Sequence, residues 1–291
     1  MANLKEVRNR IASVKSTQQI TKAMKMVSAA KLKRATDAVA QMRPYADKLG
    51  EILSNVSAGL DTSDNIYGEA REVKKVLILA VTSDKGLCGG FNSNITKKVK
   101  SLVSGKYQGK EVTVLSIGKK VTEFSKREGI NLISDYSTLF QELSFDNARK
   151  AAEFAMEKFL AGDYDVVDLV YNEFKNVVTQ IVRDDQFLPI EPKEDESTEN
   201  VSETDYVFEP SKKFILEELI PKSLKTQFYA AILDSNAGEH GARMSAMDKA
   251  TDNAGELLKD LKLVYNRTRQ AAITTEILEI VGGAEALAAG N

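Results

Sequence analysis

The stretch VRNRIASVKSTQQITKAMKMVSAAK, residues 7–31, decides the fold. It contains no proline or glycine and is rich in Ala, Lys, Met and Gln, residues that lose little on entering a helix. Between residue 3 and about residue 57 the only breakers are Pro44 and Gly50, so one helix of many turns is expected. Leu4, Val7, Ile11 and Val14 step by three and four, the spacing of a coiled-coil seam. Ser16, Thr17, Gln18 and Gln19 then interrupt the apolar run. It resumes at Ile20, Met24 and Val27, which predicts a seam that slips to another face before continuing through Leu32, Val39, Met42, Leu49 and Leu53.

A long helix with an apolar stripe needs a mate, and the other end of the chain offers one. After Pro221 there is no further proline, and residues 211–286 read as helix with Gly238, Gly241 and Gly255 as isolated soft spots. At 1.5 Å per residue, Lys222 to Ala286 would reach roughly 100 Å, far beyond the width of a small domain. Met244, Met247, Thr251, Ala254, Leu258, Leu261 and Tyr265 again step by three and four. The two ends therefore predict an antiparallel coiled coil, residues 1–58 against 211–291, with residues 59–210 inserted between them.

The insertion reads as a layered α/β domain, in which short β-like runs alternate with helices. KKVLILAVTSD at 74–84 is a strand apolar on both faces. GLCGGFNSN turns into a helix ending near residue 104, EVTVLSIG at 111–118 is a strand, and VTEFSKREG is a helix. INLISDY at 130–136 is expected as a third strand, and FDNARKAAEFAMEKFLAGD as an amphipathic helix. YDVVDLVYNEF and TQIVRDDQFLPI pair as a hairpin through Lys175 to Val178. The expected fold is thus α/β, a long antiparallel coiled coil with an inserted Rossmann-like three-layer domain.

Composition closes several routes. The 291 residues hold 40 basic and 42 acidic side chains, a balance that gives no argument for a nucleic-acid or membrane partner. Cys88 is the sole cysteine and His240 the sole histidine, which excludes an internal disulfide and makes a histidine metal site or a Ser-His-Asp triad improbable. No apolar run approaches the roughly 18 residues of a membrane span, and the start lacks the apolar core of a signal peptide. Charge is unevenly placed: residues 1–34 carry nine basic side chains against Glu6, whereas Asp184 to Asp205 holds nine acids and Lys193. The segment after Pro192 is expected to be an exposed acidic loop.

Three features could carry function. The turn from Ser83 to Gly90 is glycine-rich and lies between strand and helix, where backbone N–H groups cradle phosphate, yet it lacks the Gly-Lys-Ser/Thr ending of a P-loop and the dinucleotide spacing. A tight turn with Cys88 as a small packed residue is the plainer reading. Arg8, Lys15 and Lys22 recur every seven residues as a basic stripe, suited to an acidic surface or to solvent. Asn266, Arg267, Thr268, Arg269 and Gln270, followed by Thr274, Thr275 and Glu276, form a polar cluster within a helix whose end, from Ile277 to Leu287, is apolar on several faces. Such an end needs an enclosing partner. Two rivals stay open: an α/β nucleotide-binding enzyme dimerised by its helices, and a coiled-coil scaffold that binds nucleic acid through residues 5–34.

The motifs at 7–31, DKGLCGGFN at 84–92, and RMSAMDKATDNAGELLKDLKLVYNRTRQAAITTEILEIVGGAEAL at 243–287 together resemble the gamma-subunit family of F-type ATP synthases. The resemblance implies a non-catalytic shaft without nucleotide or other cofactor, standing within a ring of alpha and beta subunits and touching the epsilon subunit and the membrane ring of c subunits. It places Arg269, Gln270 and Thr274 against a loop of a beta subunit, with Met24 and Lys25 close to the same ring. Lys25 stands where some relatives carry an acid. Tyr206, Phe208 and Glu209 match the loop that reaches the membrane ring, and the cysteine pair of chloroplast relatives is missing. The implied location is the cytoplasmic face of a bacterial inner membrane, with the membrane reached through partners.

Overall fold

The computed structural model describes residues 4–57, 66–69, 71–190 and 212–289. In chain order the elements are α1 (Leu4–Ser57), β1 (Lys75–Val81), α2 (Phe91–Ser104), β2 (Glu111–Ile117), α3 (Lys119–Glu128), β3 (Asn131–Ile133), α4 (Phe145–Leu160), β4 (Val166–Phe174), β5 (Gln180–Leu188) and α5 (Lys212–Ala289). They form two compact units, Met1–Val27 with Met244–Asn291, and Ser28–Arg243, so both terminal helices contribute to each.

The larger unit is built on a five-stranded sheet of order β3-β2-β1-β4-β5. Neighbours from β3 to β4 run parallel, and β5 returns antiparallel along β4. The expected hairpin is therefore present, while the expected third strand shrinks to three residues. Alternation along β1 sorts its side chains into two cores. Leu77, Leu79 and Val81 pack with α4 and α5 through Ala151, Phe159 and Phe228. Val76, Ile78 and Ala80 pack with α2 and α3 through Ile95, Val99 and Val121. A central strand buried on both faces must be apolar at every buried position, and this one is from Val76 to Val81, with only Lys75 at its start exposed. Gly118, between β2 and α3, holds φ +93°, and a Cβ there would lie 2.0 Å from the Thr82 carbonyl oxygen.

In the smaller unit α1 and α5 run antiparallel. Gln18 Nε2 donates to the Thr251 carbonyl at 3.4 Å, Thr251 Oγ1 to Thr21 Oγ1 at 2.8 Å, and Lys25 Nζ pairs with Asp248 at 2.5 Å. The α5 seam runs as expected, with Met244, Met247, Thr251, Ala254, Leu258, Leu261 and Tyr265 all buried or half-buried.

The expected slip in α1 does not occur. The covered positions continue in strict heptads through Leu4, Val7, Ile11, Val14, Gln18, Thr21 and Lys25, while Ile20, Met26 and Val27 are exposed at 57%, 62% and 58%. Apolarity is a poor guide here because the seam itself turns polar, and its side chains satisfy one another across the helix pair. Gly255 is no soft spot either: a Cβ would come 3.0 Å from Gln18 Nε2, so glycine lets the amide lie against the helix.

Candidate functional site

In doubly wound sheets ligands sit outside the carboxyl ends of the strands, where the strand order reverses. Here that place lies between β1 and β4, at the turn Ser83–Gly90. The turn is tightly bonded within itself. Ser83 N donates to Asn92 Oδ1 at 2.9 Å, Ser83 Oγ to the Lys85 carbonyl at 2.6 Å, and Asn92 Nδ2 to Cys88 Sγ at 3.1 Å. Leu87 adopts φ 63°, the one non-glycine residue with positive φ among the described residues. Cys88 is buried, and burial pushes its thiol above the ordinary value, so it is a packed residue and not a thiolate.

Helix α5 fills the crevice that a nucleotide would need. Gly238 lies where a Cβ would meet Phe91 at 3.3 Å and Gln180 at 3.4 Å, and Gly241 is equally close to Phe174. Both glycines admit the helix to the sheet end, and neither is a weak point in it. Asn172 on β4 donates to the Phe91 carbonyl at 3.2 Å, and Ala242 packs on Cys88 and Phe91. Arg243 completes the closure. Its guanidinium donates to the carbonyls of Lys85 at 3.0 Å and Gly86 at 3.4 Å, to His240 Nδ1 at 3.3 Å, and pairs with Glu239 at 2.7 Å, both partners about 10% exposed.

The turn thus directs the carbonyl oxygens of Lys85 and Gly86 at Arg243, and carbonyl oxygens repel phosphate. Desolvation raises the Glu239 carboxyl above its usual range and lowers His240 to about 4, with Arg243 and Lys31 adding to the depression of the histidine. His240 is half-buried, with Nδ1 facing the Arg243 guanidinium. The Arg243 clamp escaped sequence reading, although the Glu239–Arg243 spacing of four residues on a helix was its visible sign.

The helix residues singled out from sequence fall in the smaller unit. Met24 and Lys25 are half-buried on the seam side of α1, and Lys25 is engaged by Asp248. Arg269, Gln270 and Thr274 are exposed on α5; Thr274 Oγ1 donates to the Gln270 carbonyl at 2.9 Å. Continuing the antiparallel register places Leu4 opposite Thr268, the last half-buried residue of α5 before Glu285. From Arg269 to Glu285 every residue is exposed, including Ile277 at 54%, Leu278 at 65% and Ile280 at 67%. These 17 residues, more than four turns of helix with apolar side chains on several faces and no cover among the described residues, form an interaction surface. Tyr206, Phe208 and Glu209, and the acidic segment after Pro192, lie outside the described residues.

Among the described residues no group of His, Cys, Asp and Glu is placed to hold a metal, and no helix is long and apolar enough to cross a membrane. A family model described as ATP synthase matches residues 3–287. The chain is 60% identical to the ATP synthase gamma chain of Cytophaga hutchinsonii over 293 residues, and 57% identical to that of Flavobacterium psychrophilum over 288, covering 99% of each chain in both cases. Among solved structures it is similar to a chain of the Tetrahymena thermophila mitochondrial ATP synthase central stalk and c-ring, with TM-score 0.57, 26% identity, and coverage of 79% of this chain and 99% of that one. A chain of the Euglena gracilis mitochondrial ATP synthase, with TM-score 0.65 at 22% identity over 99% of this chain and 95% of that one, shares the fold. A paired terminal-helix seam, a closed nucleotide crevice and relatives aligned along nearly the full length agree: the chain belongs to the ATP synthase gamma-chain family.

Proposed function

We propose that the chain is the rotating central shaft of a bacterial F-type ATP synthase, coupling ion flow through the membrane sector to ATP synthesis or hydrolysis on the beta subunits. The observation that carries this is the uncovered end of α5, Arg269 to Glu285, a helix apolar on several faces that only an enclosing ring would shield. The shaft performs no chemistry. It presents one set of side chains to three equivalent neighbours, and each angular position gives each neighbour a different contact energy. A contact that differs between two conformations of a catalytic subunit shifts their populations by that difference. Rotation therefore moves the three sites in turn through binding, reaction and release.

In this reading Arg269, Gln270 and Thr274 meet a beta-subunit loop, and Met24 and Lys25 lie close to the same ring of alpha and beta subunits. Tyr206, Phe208 and Glu209 reach the ring of c subunits, and the epsilon subunit is a further partner. The chain is a peripheral component at the cytoplasmic face of the inner membrane, reaching lipid only through its partners. Arg269→Ala or Gln270→Ala is expected to lower ATP turnover of the assembled complex while circular dichroism of the full chain stays unchanged. Unaltered turnover in purified complex would remove those residues from the contact.

The filled crevice at Gly238 and Arg243 disfavours the enzyme reading. Calorimetric titration of the full chain with ATP, ADP and NAD should show no stoichiometric binding, and tight binding would reverse this conclusion.

A further inference from the structure

A second recess lies in the larger unit, between α1, the β4–β5 edge of the sheet and α5. Its volume is about 470 Å³. The floor is apolar, formed by Leu169, Phe187, Ala230 and Ala231, and its polar lining includes Asp234, Asp185, Tyr171 and Gln227. Asp185 accepts the Tyr171 hydroxyl at 3.1 Å. Asp234 is different. Its side chain is only 18% exposed, its Oδ1 is buried and receives no hydrogen bond from the described residues, and Arg43 of α1 stands 3.8 Å away with 59% of its own side chain in solvent.

A buried carboxylate oxygen without a donor is costly unless something supplies one. The recess joins an apolar trough, suited to an alkyl stem, to two carboxylates at its wall, which suits a cationic head carrying several N–H donors. Lysine and arginine side chains have that build, and the planar guanidinium can donate to two carboxylates at once. We infer that this recess receives an arginine or lysine side chain of another subunit of the same complex, with Asp234 as the acceptor of its charge. The inference rests on the shaft reading above, which supplies the neighbouring subunits.

Desolvation holds the Asp234 carboxyl up at about 6, with Glu173 of β4 raising it and Arg43 lowering it. In the chain alone the ionised carboxylate is therefore a burden, and in the complex it is the group that the cation needs. The two states respond to Asp234→Asn with opposite sign, and a purely structural aspartate would not behave so.

The experiment uses the full chain and the purified complex. Asp234→Asn should raise the melting temperature of the chain alone at pH 8. With a photo-crosslinking benzoylphenylalanine at Ala230 in the assembled complex, mass spectrometry should find the adduct on another subunit beside an arginine or lysine. Asp234→Asn should lower the adduct yield about tenfold or more, as expected when one partner of a buried charge pair is removed, and Asp234→Glu should keep most of it. No adduct, an adduct on a segment without a basic residue, or a yield indifferent to Asp234→Asn would overturn the inference while leaving the shaft reading intact. Failure of the wild-type chain to co-purify with alpha and beta subunits would overturn both.

Discussion

Arg243→Met tests the closure of the turn most sharply. Arg243 and Glu239 are each about 10% exposed and 2.7 Å apart, and Arg243 also caps two carbonyls of the turn. Removing one member of such a pair leaves an uncompensated buried charge, which costs roughly 3–5 kcal/mol. For a unit of this size each kcal/mol is worth about 2–4 °C, so the melting temperature should fall by about 6–20 °C. Glu239 already has a raised carboxyl pKa from desolvation, opposed chiefly by Arg243. Without the arginine it rises further. An acid whose folded pKa is raised stabilises the fold below the unfolded pKa and forfeits that stability as pH rises through the folded value, so the deficit of Arg243→Met should be larger at pH 8 than at pH 5. The double variant Arg243→Met/Glu239→Leu removes the stranded charge and should recover about 2 kcal/mol, leaving the uncapped carbonyls. Urea unfolding of the full chain, followed by circular dichroism at both pH values, measures each term. A loss below about 1 kcal/mol, or equal losses for the single and double variants, would refute the clamp.

Other expectations follow from single contacts. Lys25 and Asp248 are 40% and 47% exposed, so their pairing contributes little, and Lys25→Met/Asp248→Leu should stabilise the helix pair by up to about 1 kcal/mol; a marked loss in thermal melts would contradict a seam position for Lys25. His240 has a folded pKa depressed to about 4 against 6.5, so stability present at pH 7 should drain as pH falls between those values, and His240→Gln should flatten that slope in unfolding titrations; parallel slopes would refute it. Cys88 should resist iodoacetamide at pH 8 in the native chain and react once denatured, as mass spectrometry can read; rapid native labelling would contradict its burial.

How much was legible in the sequence varied with the kind of signal. The strands of the inserted domain were plain because burial on both faces forces unbroken apolar runs such as that of β1, and the seam of α5 because its residues are mostly apolar. The α1 seam was misread at Gln18, Thr21 and Lys25, since a periodicity search follows apolar residues and these covered positions are polar. INLISDY was over-read as a strand because only Asn131–Ile133 finds a partner in β2. The Glu239–Arg243 spacing shows the local half of the clamp, but its carbonyl partners Lys85 and Gly86, like Arg43 beside Asp234, lie more than a hundred residues away, and no local pattern encodes that meeting. Gly238 and Gly241 looked like helix weakness because their reason lies in Phe91 and Phe174, on other elements.

The polar seam of α1 and the exposed apolar faces of α1 and α5 share a physical cause that bears on function. A self-sufficient coiled coil puts its apolar side chains between the helices and its polar ones outside. The smaller unit does the reverse over two stretches. In α1, Gln18, Thr21 and Lys25 are covered while Ile20, Met26 and Val27 face out, and α5 beyond Thr268 exposes Ile273, Ile277, Leu278 and Ile280 with no mate among the described residues. Inverted patterning is unfavourable for a chain alone, because it hydrates apolar surface and uses seam positions for weak polar contacts. It becomes favourable when an outer wall covers the exposed face, and the polar seam then keeps the pair from drawing those apolar residues inward. A sequence that violates local rules at the surface its partners must touch is consistent with selection for that contact and not for the stability of the isolated helix pair.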